Sequence, residues 1–481
     1  MRLGDILNGL DHTWVRGDDI DVTAIEIDSQ QVRPGTVFWC LKGLSTNGHS
    51  YIPQAVAAGA AAVVLSEPTP VPPGPAVIQV PDTRYALAPA AENLYGHPAT
   101  DLTLTGITGT KGKTTSTYML ASVLAHAGRS VGVIGTLGAK LNSRPLDIGY
   151  GHMTTPDPVE LQRIFAALRD GHASDVAMEV SSHALALGKM EGLRFRVAVF
   201  TNLSQDHLDF HKTMAEYLHA KSLLFQQCDR GVVNADSDAS SYICAHATAP
   251  VTTFGLDNEA DVRGTDIAYR DDGTTFTLTT PTESIPLFIP VKGRFSVYNA
   301  LGVATAALEL GLDVGVIRDG LAAMPPVPGR LQDVPNDRGA HILVDYAHSP
   351  DSLLNVLTTA RDFTRGRLIV VFGCGGDRDA GKRPIMGRIA GELADYTLLT
   401  SDNPRTEDPL AILAAIEAGI RDTTGPYETE PDRRAAITRA VALLEPGDTL
   451  VVAGKGHEDY QIIGETTLHF DDTEVIRDAL G

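Results

Sequence analysis

Short runs of β-branched and aliphatic residues alternate with longer Ala- and Leu-rich segments along the whole chain. Residues 36–41, 61–65, 76–80 and 102–108 form such runs early on, and 342–346, 368–372, 397–400 and 449–453 form them later. Runs that are apolar on both faces belong inside parallel sheets covered by helices. The segments between them, among them 84–95 and 116–126, have helical composition. Strand alternating with helix predicts an α/β fold of mainly parallel sheets flanked by helices. No fixed-period repeat and no low-complexity tract interrupts the pattern.

Two breaks divide it. Gly96-His97-Pro98-Ala99-Thr100 follows the 84–95 segment, and Met324-Pro325-Pro326-Val327-Pro328-Gly329 sets three prolines where a helix cannot continue. Cuts after Pro98 and Pro328 predict three domains, 1–98, 99–328 and 329–481, the last of them Rossmann-like. A length of 481 residues has room for that number.

Charge and cysteine usage restrict the partners. The chain has 60 acidic against 39 basic residues, a formal charge of −21. Such a surface argues against nucleic acid or an anionic membrane as a general partner, and an anionic substrate must be held by local basic residues. Cys40, Cys228, Cys244 and Cys374 have no metal-type spacing and read as reduced cytosolic thiols. Met1-Arg2-Leu3-Gly4-Asp5 opens no apolar signal core, and the longest apolar stretch, 55–65, is too short to span a bilayer. The expectation is a cytoplasmic protein, without membrane insertion, working on a soluble substrate.

Candidate chemistry begins where the 102–108 strand enters Gly109-Thr110-Lys111-Gly112-Lys113-Thr114-Thr115 and a helical segment follows. Strand, glycine loop, Lys-Thr and helix form the context of a phosphate site. Loop amides and the helix N-terminus hold oxygens, Lys113 bridges the β and γ phosphates, and the Thr114 hydroxyl binds Mg2+. The match to G-x-x-x-x-G-K-[ST] is imperfect, because Ile107 stands five positions before Gly112. A chance glycine-rich turn is the alternative, and the strand–loop–helix context favours nucleotide binding.

Asp175-Val176-Ala177-Met178-Glu179-Val180 reads as a buried strand running into Ser181-Ser182-His183. A carboxylate there needs a partner. Either Mg2+ on the phosphates or a structural ion pair would serve Glu179. Residues 197–202 form another strand, which places His207 and Asp209 at the carboxyl edge of the sheet, where α/β proteins bind ligands. A lone His207 is more often a structural histidine, but its coincidence with a phosphate loop favours the functional reading. Lys221 lies in a helical segment, 215–225, and nothing in its local pattern sets it apart.

Taken in order, these segments resemble the Mur ligase family over essentially the full chain. Further matching stretches are Thr201-Asn202-Leu203-Ser204-Gln205-Asp206-His207-Leu208-Asp209, Tyr298-Asn299-Ala300, Gly329-Arg330 and Asp345-Tyr346-Ala347-His348-Ser349-Pro350-Asp351. Gly373-Cys374-Gly375-Gly376-Asp377-Arg378-Asp379, Asp402-Asn403-Pro404-Arg405 and Gly454-Lys455-Gly456-His457-Glu458 complete the series. The resemblance implies an ATP- and Mg2+-dependent ligase, a monomer, whose successive domains bind the UDP part of the substrate, ATP and the incoming amino acid. It implies UDP contacts at Ser29, and muramoyl-peptide contacts at Thr154, Thr155 and Ser181, with Lys189 where relatives often carry Arg. Asn299, Arg330, Asp345 and His348 would join Gly109 to Thr115 around ATP. Lys111 replaces an Asn common in this loop. Lys221 matches a carbamylated lysine whose carbamate helps Glu179, His207 and Thr114 hold metal.

The implied reaction passes through an acyl phosphate on the terminal carboxylate of UDP-N-acetylmuramoyl-L-alanyl-D-glutamate, in peptidoglycan synthesis. Asp402-Asn403-Pro404-Arg405 goes in the family with meso-diaminopimelate, with L-lysine or L-ornithine as the alternatives. Diaminopimelate has a distal carboxylate that an Arg can clamp bidentately. Arg378 and Arg405 would supply the clamp, Glu458 a partner for the distal ammonium, and Gly454 the approach. Arg378 and Arg405 could instead stabilise loops or share one carboxylate. Two other readings are a folylpolyglutamate synthetase-like ligase and a non-enzymatic P-loop switch. The Ser-Thr-Asn-Gly-His stretch from Ser45 to His49 speaks against the first, and Glu179, His207 and Lys221 against the second.

Overall fold

A computed structural model describes residues 1–43, 46–148 and 153–481, so Ser45 lies outside the described residues. Those residues form two compact units. One comprises Met1–Arg263, Leu278–Ser284 and Tyr298–Leu321; the other comprises Gly264–Thr277, Ile285–Val297 and Ala322–Gly481.

The first unit begins with a five-stranded sheet. Its order is Thr13–Arg16, Ala76–Gln79, Ala62–Leu65, Thr36–Trp39 and Ala24–Glu26, and only Thr13–Arg16 runs antiparallel to its neighbour. Thr36–Trp39 and Ala62–Leu65 are buried throughout, in keeping with their almost wholly apolar sequences. The helix Thr83–Tyr95 is capped by Asp82, whose carboxylate accepts the Arg84 N–H, and ends at Gly96 in the left-handed region at φ 70°.

A second sheet carries the glycine loop that begins at Gly109. Thr103–Thr108 lies at its centre, with Asp175–Glu179 parallel on one side and Phe195–Phe200 parallel on the other. Val131–Gly135 flanks the former and Cys228–Asn234 the latter, again in parallel. Val251–Gly255 follows, and Val262–Arg270 joins it with Val262 opposite Phe254. Gly273–Thr279 and Ser284–Ile289 continue the strand order. The chain leaves Thr103–Thr108 towards one side and later returns to the other. The end of this strand is therefore a topological switch point, where α/β sheets leave a crevice.

The second unit contains a six-stranded sheet in the order Gln332–Asp333, His341–Asp345, Thr449–Ala453, Leu368–Phe372, Tyr396–Leu399 and Tyr427–Thr429. All neighbours are parallel except the first pair. Leu353, Phe372, Met386 and Ile416 fill the core on one face, and Ile369, Leu398, Ile437 and Val475 fill the other. Among the described residues, no helix is long and apolar enough to cross a membrane.

Candidate active site

Parallel register brings three strand ends together in the first unit. Glu179 stands opposite Ile107, and Phe200 opposite Thr108, so the chain leaves all three strands beside the glycine loop. The loop is held from below. The Lys111 N–H donates to Asn202 Oδ1 at 2.9 Å, while Asn202 Nδ2 and Thr201 Oγ1 donate to the Lys111 carbonyl at 3.1 and 2.7 Å. Gly112, at φ 87°, is the N-cap of the helix Lys113–His126, on which Thr114 and Thr115 make the first turn. A Cβ on Gly112 would lie 2.3 Å from Asn299 Oδ1, so the helix Arg294–Glu309 brings Asn299 against the loop. The Lys113 ammonium folds back onto the carbonyls of Gly109 and Thr110 at 2.9 and 3.0 Å.

Glu179 is 2% exposed. Its Oε2 accepts the Thr114 hydroxyl at 3.0 Å and its Oε1 the Thr136 N–H at 2.8 Å. Both partners are neutral donors. The Thr154 and Thr136 hydroxyls are 3.2 Å apart. Thr155 Oγ1 donates to the Glu179 carbonyl and accepts from the Ser181 N–H, both at 3.0 Å. Lys189 Nζ is 2.8 Å from Asp157 Oδ1, which fixes that cation beside the Thr154-Thr155 segment. Ser29 is 7% exposed in the turn after Ala24–Glu26, and no bond among the described residues ties it to these side chains.

His207, at φ 53°, caps the short helix Leu208–His211. Burial lowers its pKa, with Lys113 and Lys221 adding to that and Asp206 opposing it. Lys221 is 1% exposed, with Nζ 4.3 Å from the centre of the Tyr217 ring. Burial, and then Lys113, hold its pKa well below the ordinary lysine value. Tyr217 and Lys221 share the helix Met214–Ser222, and the Tyr217 hydroxyl, 3.1 Å from Thr110 Oγ1, ties it to the glycine loop. His211 Nε2 lies 2.9 Å from Ser182 Oγ, and burial drives its imidazole pKa down to about 4. Lys113, Glu179, His207 and Lys221 thus converge on one loop. Among the described residues, no three His, Cys, Asp or Glu side chains gather as a ready metal cage. The oxygens of Thr114 and Glu179 are the hard donors that Mg2+ prefers. Thr136 and Tyr217 support the site and carry no motif signal of their own, whereas Asn202 lies in the matching stretch Thr201 to Asp209.

The second unit holds the remaining candidates around the carboxyl edge of its own sheet. The Arg330 guanidinium lies 5.0 Å from the Tyr346 ring centre, Asp345 Oδ2 accepts the Leu331 N–H at 2.8 Å, and His348 Nδ1 is 2.8 Å from the Tyr346 carbonyl. Asp402 and Asn403 are buried, at 6% and 3% exposure, and Gln461 Nε2 donates to the Asp402 carbonyl. A Cβ on Gly454 would come within 2.6 Å of Asp402 Oδ2. Arg405, at φ 52°, donates from Nη1 to the Gly376 carbonyl at 2.8 Å. The Pro404 carbonyl packs 1.9 Å from where a Cβ of Gly376 would stand. Asn403 Nδ2 donates to Glu458 Oε2 at 3.0 Å. Arg378 is exposed next to Asp377.

The Mur ligase middle domain family matches residues 107–307, the Mur ligase glutamate ligase domain 329–456 and the Mur ligase family catalytic domain 21–95. The UDP-N-acetylmuramoyl-L-alanyl-D-glutamate–2,6-diaminopimelate ligase of Geobacillus thermodenitrificans is 43% identical over 490 residues, covering 100% of this chain and 99% of the relative. Its namesake in Clostridioides difficile is 42% identical over 485 residues with the same coverage. A solved structure of a ligase of that name superposes with a TM-score of 0.69 at 33% identity, over 95% of this chain and 94% of the other. A folylpolyglutamate synthase from Mycobacterium tuberculosis shares the fold, with a TM-score of 0.63 at 19% identity over 76% of this chain and 91% of the other. Similarity that runs through both units and all three family regions makes the chain a member of the Mur ligase family.

Proposed function

We propose that the chain is the cytoplasmic ligase that joins meso-diaminopimelate to UDP-N-acetylmuramoyl-L-alanyl-D-glutamate at the expense of ATP, in peptidoglycan synthesis. The observation that carries this reading is the Thr114–Glu179 hydrogen bond at the mouth of the central sheet, with Lys113, His207 and Lys221 around it. Residues 1–98 would bind the UDP part through Ser29, 99–328 would hold ATP, and 329–481 would receive the amino acid.

The loop amides, the helix N-terminus and Lys113 would grip the ATP phosphates, with Asn299, Arg330, Asp345 and His348 as further ATP contacts. Thr114, Glu179, His207 and a carbamylated Lys221 would hold Mg2+, which when bound would neutralise charge on the transferring phosphoryl group. Thr154, Thr155, Ser181 and Lys189 would place the substrate's terminal carboxylate in line with the γ-phosphorus. That carboxylate displaces ADP and becomes an acyl phosphate. Arg378 and Arg405 would clamp the distal carboxylate of diaminopimelate, and Asp402, Asn403, Pro404, Gly454 and Glu458 would orient its amino groups. The free amine then attacks the acyl carbon, phosphate leaves, and an amide remains.

A ligation assay with ATP and the UDP-linked dipeptide tests this, offering diaminopimelate, lysine and ornithine in turn and reading the product by mass. Diaminopimelate is expected to be the amino acid joined, with phosphate release dependent on both acceptor and amino acid. Product from lysine or ornithine alone would change the substrate assignment, and no product from any of them would remove the ligase reading.

A further inference from the structure

Lys455 follows the strand Thr449–Ala453 and is 0% exposed, which is rare for a lysine. Its Nζ donates to Asn403 Oδ1 at 3.0 Å and to the Tyr460 carbonyl at 2.6 Å, and lies 3.9 Å from Asp402 Oδ1. The backbone N–H of Ile462 donates to the same Asn403 oxygen at 3.0 Å. A backbone N–H can only donate, so the oxygen end of this amide is fixed by its surroundings. The nitrogen end is thereby turned towards Glu458, whose Oε2 it meets at 3.0 Å.

We propose that Lys455 is a positioning residue that orients Asn403 and, through it, holds Glu458 as a carboxylate aimed at an ammonium group of the diamino acid. The proposal rests on the amino-acid reading above. Asp402, Lys455, Asn403 and Tyr346 face Glu458, with Arg433 and Tyr460 beyond them. Burial raises the Glu458 pKa and Asp402 adds to the rise, while Lys455 is the largest influence lowering it. Arg433 is already engaged by Asp472 at 2.6 Å. Without the Lys455 charge, Glu458 keeps its proton to higher pH, and a neutral acid cannot pair with an ammonium. The carboxylate function is lost as pH falls through the Glu458 pKa, so raising that pKa moves the acid limb upward.

Lys455→Met in the full chain is the direct test, with KM for each substrate measured from acid to neutral pH beside the unsubstituted protein. The KM for diaminopimelate is expected to rise about tenfold or more, the loss of one hydrogen bond to a charged group, with the ATP KM little changed. The acid limb of kcat/KM for diaminopimelate should move to higher pH. Parallel rises in all KM values, or an unmoved limb, would overturn the proposal. Lys455→Gln keeps a donor and loses only the charge, and it serves the pH measurement if the methionine variant does not fold. The same upward shift is expected of it, and its absence would overturn the charge role. If the unsubstituted protein makes no diaminopimelate-dependent product, the functional reading fails. A normal unsubstituted enzyme with unshifted variants removes only the role of Lys455.

Discussion

A lysine on a helix is usually solvated, whereas Lys221 is 1% exposed above the Tyr217 ring and shares its surroundings with Lys113. Burial and the second cation favour the uncharged amine, the form able to add to carbon dioxide. Lys221→Ala is expected to abolish nearly all turnover, and small carboxylates added to the assay should restore part of it. A fully active variant would take Lys221 out of the site. Arg405 is fixed on one side by the Gly376 carbonyl, which leaves the rest of its guanidinium for a ligand. Arg405→Ala should raise the KM for diaminopimelate by an amount equivalent to about 1.5–3 kcal/mol, the usual size of a hydrogen bond to a charged group, and leave the KM for ATP near its original value. Equal changes in both would break the assignment. Neither the burial of Lys221 nor the grip of Lys455 on Asn403 can be read from local sequence. Each depends on a residue far away in sequence: Lys113 for the first, although Tyr217 shares the helix of Lys221, and Asn403 for the second.

At the scale of elements, the glycine loop is close-packed because two segments of the chain meet where a side chain would have stood. Gly112→Ala would force a Cβ to within 2.3 Å of Asn299 Oδ1 at a φ of 87°. The expected result is a marked loss of nucleotide binding, measured by calorimetry, with little change in the melting of the second unit. Retained ATP affinity would show that the loop can shift without cost. The buried strands were legible because runs such as Leu368–Phe372 and Thr449–Ala453 are apolar at every position and bounded by polar turns. Val262–Arg270, Gly273–Thr279 and Ser284–Ile289 carry no such signal. Their buried positions are broken up by half-buried or exposed ones, many of them Thr, Asp or Arg, so no continuous apolar run marks them. The helix containing Thr114 begins at Lys113, earlier than its apolar pattern suggested, because Gly112 and the loop rather than a side-chain cap start it.

At the scale of the whole molecule, the family and the α/β architecture followed from motif order and strand–helix alternation, and similarity along the entire chain supports both. The second unit buries a charge pair that no motif announces. Arg433 and Asp472 are both 0% exposed in their side chains and 2.6 Å apart, and Arg433 also donates to the Ala453 carbonyl at 3.1 Å. Arg433→Met leaves an uncompensated buried carboxylate, at a cost of about 3–5 kcal/mol. The melting transition of this unit should fall by several degrees, and adding Asp472→Leu should recover much of the loss. Melting unchanged by the single substitution would mean that the pair does not stabilise the fold.

Because Thr103–Thr108, Asp175–Glu179 and Val131–Gly135 all run in one direction, their opposite ends meet at turns remote from the chemistry. His172, exposed in the turn that precedes Asp175–Glu179, sits on that far rim. It is therefore a place to attach a fluorophore or an affinity handle that reports on the enzyme without entering its reaction.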